Sequence, residues 1–174
     1  LFWVDVSDQR LRRTDADGTT TLLTTEPATP RALRYADGGV TPDGRWSVCV
    51  GERHSGDGEP ANEVVAVSTS SPGRTETLWS GADFVSSPRV SPDGTHIAFI
   101  SWDHPEMPWT RTRLHVFELG DIDSRSGGIF DNGVFDNGVL DNGSGLSLGG
   151  DRAFCEPGWD GDRLLVVVDD DEWW

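Results

Sequence analysis

Ser91-Pro92-Asp93-Gly94-Thr95-His96-Ile97-Ala98-Phe99-Ile100 opens as a tight turn and runs on as an apolar segment. Proline fixes φ in such a turn, aspartate bonds to the backbone beyond it, and glycine accepts the positive φ that closes it. The β-branched and aromatic residues that follow are strand formers, so the unit reads as the start of a hairpin. The same unit stands upstream as Thr41-Pro42-Asp43-Gly44, followed by Arg45-Trp46-Ser47-Val48-Cys49-Val50. A shortened copy, Trp159-Asp160-Gly161, leads into Asp162-Arg163-Leu164-Leu165-Val166-Val167. The first two aspartates lie 50 residues apart and the next interval is 67.

Between the turns lie more extended segments: Glu63-Val64-Val65-Ala66-Val67, Arg74-Thr75-Glu76-Thr77-Leu78-Trp79, and Arg113-Leu114-His115-Val116-Phe117-Glu118-Leu119. Four short antiparallel strands repeating near every 50 residues describe a propeller blade. No stretch of helical period is long enough for a packed helix. The expected fold is therefore all-β, a partial β-propeller of about three four-stranded blades, open at both ends. Residues 1–25 fit the outer two strands of one blade, 34–80 a blade, 84–126 another, and 154–174 the inner half of a next. Residues 127–150 form a Gly/Asn-rich insert standing where a fourth strand belongs, and it accounts for the longer second interval.

The chain has 174 residues and a formal net charge of -16, and all 14 of its basic residues are arginine. Such a field repels phosphate, which argues against nucleic acid and anionic membranes as partners. No apolar run reaches the length of a membrane span, and the opening Leu1-Phe2-Trp3-Val4-Asp5-Val6 reads as a strand already under way rather than as a leader. Cys49 and Cys155 both sit in apolar strand contexts and are expected as buried free thiols. A cytoplasmic location is expected with them.

From Arg34 to Leu119 the sequence closely resembles the propeller of prolyl-oligopeptidase-family serine peptidases, in particular bacterial enzymes related to dipeptidyl aminopeptidases and acylaminoacyl peptidases. The resemblance is carried by Arg34-Tyr35-Ala36-Asp37-Gly38, by Glu52-Arg53-His54 with Glu59-Pro60-Ala61-Asn62-Glu63, and by Ser80-Gly81-Ala82-Asp83-Phe84 with Ser87-Pro88-Arg89-Val90-Ser91-Pro92-Asp93-Gly94. Its most specific part is Ser101-Trp102-Asp103-His104-Pro105-Glu106-Met107-Pro108-Trp109, because it is long and rich in rare residue types. Pro-Asp-Gly alone also marks TolB-like propellers. The resemblance implies a two-domain enzyme, in which a propeller restricts access by size to an α/β-hydrolase domain that cleaves short peptides. That hydrolase domain, the implied partner of this chain, is expected beyond Trp174. A stand-alone TolB-like interaction propeller and a non-functional gene remnant are the alternatives.

Three places invite a chemical reading. Gly145-Leu146-Ser147-Leu148-Gly149 matches the nucleophile-elbow pattern, but a real elbow needs a strand before the serine, a helix after it and a histidine later in the chain. All four histidines lie upstream, so no catalytic residue is expected. The five-residue Asp-Asn-Gly repeat over 130–143 places aspartates regularly, yet misses the calcium-loop spacing, and Asn-Gly favours tight turns. No metal or cofactor is expected. The third place is the set of loops between second and third strands, Arg53 to Ala61 and Trp102 to Thr110, which fall on one face of the blades. By the resemblance this face meets the hydrolase domain. Arg53, His54, Asp103, His104, Glu106 and Trp109 are then the candidates for touching substrate or bracing the domain interface, and acidic groups there suit a free peptide amino terminus.

Overall fold

The computed structural model describes residues 1–124, the backbone of 139–141, and residues 145–169. Four antiparallel sheets follow one another along the chain. The first holds β1 (Phe2–Val4), β2 (Leu11–Thr14) and β3 (Thr20–Leu22). The second holds β4 (Leu33–Val40), β5 (Trp46–Arg53), β6 (Ala61–Ser68) and β7 (Thr75–Ser80). Next come β8 (Phe84–Val90), β9 (His96–Trp102) and β10 (Arg113–Glu118), a 3-10 turn at Ile122–Ser124, then β11 (Val139–Asp141) and β12 (Gly145–Leu148). The last pair is β13 (Ala153–Asp160) and β14 (Arg163–Asp169). Among the described residues there is no α-helix, and none long and apolar enough to cross a membrane.

Each Pro-Asp-Gly turn forms as its chemistry dictates. Asp93 Oδ1 accepts the Thr95 amide at 3.0 Å and the Ser91 hydroxyl at 2.6 Å, while Gly94 takes φ 76°. Asp43 does the same with the Arg45 amide (3.0 Å) and the Thr41 hydroxyl (2.5 Å), beside Gly44 at φ 74°. The Ser91 hydroxyl, with two neighbouring donors, holds the Asp93 carboxyl down at about 2.

Period-two alternation lets each central strand serve both neighbours. From β5, Trp46, Val48 and Val50 enter a core shared with Ile97 and Phe99 of β9, while Cys49 turns back to a core with Leu11 and Leu23. From β9, Ile100 turns forward to a third core with Phe154, Leu164 and Val166. Three apolar seams therefore join four sheets in sequence, which is the stacking of propeller blades. The inner strands β4, β8 and β13 adjoin one another in turn. Each breaks its ladder at one place, between Ala36 and Gly39, Ser86 and Arg89, and Cys155 and Gly158. In every break a non-glycine residue takes positive φ: Asp37 (49°), Ser87 (54°) and Glu156 (51°).

Some expectations need correction. The first sheet has three strands rather than two, because Phe2–Val4 pairs fully with Leu11–Arg13. The third blade does not lack its fourth strand. Gly145–Leu148, from the tail of the expected insert, pairs with β10 through Leu114↔Leu148 to Phe117↔Gly145, and β11 adds a fifth. The remainder of the Asp-Asn-Gly repeat lies outside the described residues. Cys49 is buried, but Cys155 is only half-buried, since its cross-strand partner is the exposed Val167.

Candidate functional site

Strand direction alternates within each blade, so the β5–β6, β7–β8 and β9–β10 connections share one face. The Pro-Asp-Gly turns share the other. On the loop face a cleft of about 420 Å³ is lined by Trp102, Asp103, His104, Pro105, Glu106, Arg111, Arg113 and Asp151 among others. A larger cleft, about 660 Å³, lies on the opposite face between the two Pro-Asp-Gly turns. Two of its carboxylates, Asp43 and Asp93, are already committed to holding those turns, so it is the weaker candidate.

The β9–β10 loop is fixed by its own hydrogen bonds. Asp103 accepts the Asp83 amide at 2.9 Å, and Asp83 in return accepts the His104 amide at 2.9 Å. The Glu106 amide donates to the Asp103 carbonyl at 2.9 Å, and the Thr110 hydroxyl donates to Glu106 at 2.8 Å. Phe84 stacks on Trp102 with centroids 5.3 Å apart and meets the edge of His104 at 4.9 Å. The His104–Pro105 peptide is cis. Arg113 donates to Asp103 at 2.7 Å. Partial burial raises the Asp103 carboxyl, but the Arg113 hydrogen bond and the Asp83 amide outweigh it and leave the group below the usual carboxylate range. Arg111 pairs with Asp151 and approaches Glu106 at 3.9 Å. At the loop's tip Met107 and Trp109 remain exposed, the latter by 54%.

The sequence candidates thus fall into two groups. Asp103, His104 and Glu106 line one cleft, whereas Trp109 is exposed and not part of its lining. Arg53 and His54 belong to the neighbouring blade, where Arg53 donates to Glu63 at 3.2 Å and His54 pairs with Glu52, itself bonded to Arg34 at 3.2 Å. The groups are linked through Asn62, which donates to the Asp83 carbonyl at 2.6 Å. Sequence reasoning missed Asp83, Arg111, Arg113 and Asp151, which fix the acidic groups. Arg111 and Arg113 were signalled only by their nearness to the loop motif and Asp83 only by its place in Ser80-Gly81-Ala82-Asp83-Phe84, while nothing marked Asp151.

Ser147 does not stand on the strand-to-helix turn that a nucleophile elbow needs. It lies in the middle of a strand, 1% exposed, and its hydroxyl meets Nδ1 of His115 at 2.6 Å. Nε2 of His115 meets the Ser101 hydroxyl at 2.8 Å, so the imidazole bridges β9 and β12 inside the blade. Burial first, then the Arg113 charge, lowers the imidazole to about 3, and it is neutral at ordinary pH. No group of three or more metal-ligating side chains occurs among the described residues.

A stack of antiparallel sheets joined by apolar seams, with one organised loop face, defines a β-propeller segment. By its fold this chain is similar to the propeller part of prolyl-oligopeptidase-family peptidases. It superposes on a puromycin-hydrolysing peptidase from Mycobacterium tuberculosis with TM-score 0.74 and 30% identity over 97% of its length. A puromycin hydrolase mutant complexed with PGG gives TM-score 0.74 at 28% identity, and puromycin hydrolase itself 0.72 at 28%. The chain spans 25% of the length of each of these structures. A TolB-type protein from Agrobacterium tumefaciens, at 21% identity and TM-score 0.50, shares the fold. No family model and no curated protein matches the sequence.

Proposed function

We propose that this chain is the access-limiting propeller of a serine peptidase of the dipeptidyl aminopeptidase or acylaminoacyl peptidase type. It admits short peptides or aminoacyl amides to an α/β-hydrolase domain and carries no catalytic residue. The observation that carries this reading is the pre-organised acidic loop of Trp102 to Thr110, on the single face where the loops gather. A free amino terminus is cationic, and a carboxylate already held in place loses little freedom in binding it. Asp103 and Glu106 are the substrate-facing pair in this reading. Arg53, His54 and Trp109 brace the hydrolase domain, with His104 positioned behind Asp103. The partners are that domain and short peptides, without nucleic acid, membrane or cofactor, and the setting is cytoplasmic.

The test uses the complete gene product. Asp103→Asn with Glu106→Gln should raise KM for peptide amides with a free amino terminus roughly 10-fold or more, the worth of a charged hydrogen bond. The maximal rate should change little. An unchanged KM argues against substrate contact. Separately, Ser147→Ala should keep full hydrolytic activity, and should lower stability by about 1 kcal/mol through the lost bond to His115. Abolished hydrolysis in a normally folded Ser147 variant would refute its assignment to the blade interior.

A further inference from the structure

The chain contains six Asp-Gly steps, beginning at Asp17, Asp37, Asp43, Asp57, Asp93 and Asp160. In each, the glycine nitrogen is chemically able to attack the preceding side-chain carboxyl, because glycine has no Cβ to hinder the approach. The fold occupies five of the six carboxyls. Asp17 accepts the Thr19 amide at 2.9 Å, and Asp37 accepts the Ser87 amide at 2.5 Å and the Arg89 guanidinium at 3.1 Å. Asp43 and Asp93 hold their turns through the Arg45 and Thr95 amides, each at 3.0 Å, and Asp160 pairs with Arg163 at 2.7 Å. In three of these steps the attacking nitrogen is held as well. The Gly18 amide donates to the Asp15 carbonyl at 3.0 Å, Gly44 to Thr41 at 2.8 Å and Gly94 to Ser91 at 2.9 Å.

Asp57-Gly58 stands apart. Among the described residues, neither the Asp57 carboxyl nor the Gly58 amide has a hydrogen-bond or ionic partner. The pair lies in the connection between β5 and β6, on the loop face, where residues 55–59 are all exposed. Gly56 precedes it, so the backbone is unencumbered on both sides of the aspartate. Gly58 itself is not needed for the turn. Its φ lies outside the left-handed region, and nothing stands within 4 Å of a methyl added there. Reactivity at this step is therefore separable from the fold by substitution.

We propose that Asp57-Gly58 is a modification site, at which the backbone rearranges through a succinimide to isoaspartate. The Gly58 nitrogen bonds to Cγ of Asp57, and the carboxyl hydroxyl leaves with the nitrogen's proton as water. Water then opens the ring. Breaking the bond to the side-chain carbonyl restores aspartate. Breaking the bond to the main-chain carbonyl leaves the peptide link running through Cβ and Cγ, with a free carboxylate on Cα. Nothing is oxidised or reduced, and the net charge is kept. The main chain gains one methylene between His54 and Asn62, the residue whose side chain donates to the Asp83 carbonyl at 2.6 Å. The rearrangement thus lengthens the connection that leads into the link between the two loops. This inference stands whether or not the propeller gates a peptidase.

The test is prolonged incubation of the complete gene product at mildly acidic pH, followed by peptide mapping. Isoaspartate is detected by methyl transfer from a carboxyl methyltransferase specific for isoaspartyl residues. The Asp57 peptide should convert at least about 10-fold faster than the Asp43 and Asp93 peptides, whose turns must open first. In urea the three rates should draw together. Gly58→Ala should slow conversion at Asp57 several-fold and leave the melting temperature unchanged. The Asn-Gly steps at Asn132, Asn137 and Asn142 are read apart, because deamidation alters mass and aspartate isomerisation does not. No conversion at Asp57, or conversion no faster than at Asp43 and Asp93, overturns the proposal. A lead for Asp57 that persists undiminished in urea assigns it to flanking sequence rather than to the fold, and overturns the argument from occupied carboxyls.

Discussion

Replacing His115 with alanine should destabilise the protein by about 3 kcal/mol, measured as the change in free energy of unfolding by urea. The imidazole is 2% exposed, stacks on Phe99 at 4.7 Å, and meets Trp79 at 5.0 Å and Phe117 at 5.9 Å. Truncation leaves a cavity in the third blade and two buried hydroxyls, Ser101 and Ser147, without their shared partner. The loss should appear as faster unfolding and a lower midpoint with the urea dependence unchanged. A cost near zero would mean that the strands of this blade are held together without the bridge.

The same residue sets a pH dependence. Its imidazole is lowered from 6.5 to about 3 in the folded protein. The unfolded chain therefore binds the proton first, and stability falls as pH drops below about 6.5. Between pH 7 and pH 5 the expected loss from this group is about 2 kcal/mol. His115→Phe keeps the ring stack and removes the titration, so its stability should be flatter over that interval. An equal slope in wild type and variant would place the acid sensitivity elsewhere.

Gly145→Ala should cost about 3 kcal/mol and detach β12. A methyl there would lie 2.0 Å from Cδ1 of Phe117 and 2.8 Å from the Val116 carbonyl. Phe117 is 1% exposed in the seam between the second and third blades, so it has nowhere to go. Gly158→Ala is the control, because nothing lies within 4 Å of its added methyl. Equal melting of the two variants would show that β12 does not dock on Phe117. Hydrogen exchange at Leu146 and Leu148 should rise in the first variant alone.

What could be read from the sequence was local. The Pro-Asp-Gly turns declare themselves because proline, aspartate and glycine each do one job within four residues, and the strands after them alternate cleanly. The acidic loop could be located because its residue types are unusual. What stayed hidden depends on residues far apart in the chain. Nothing near Ser147 announces that its partner is His115, since the pairing exists only once β12 lies on β10. That strand was itself obscured by the repeat before it, whose Asn-Gly steps read as turns. The bulges at Asp37, Ser87 and Glu156 were hidden for another reason. None is a glycine, so no residue preference marks the positive φ, and only the repetition of the break across three inner strands gives it meaning. Cys155 looked like a core thiol because its neighbours are apolar, yet alternation places it on the face that Leu165 and Val167 leave exposed.

In the proposed function the propeller admits short peptides and excludes long ones on behalf of a hydrolase domain. The most direct measurement compares hydrolysis by the complete gene product of a dipeptide amide with a free amino terminus and of a long unstructured polypeptide carrying the same residues at its amino terminus. Turnover of the first and little or none of the second is the expected result. Absence of any hydrolysis, or cleavage of both at similar kcat/KM, would contradict it.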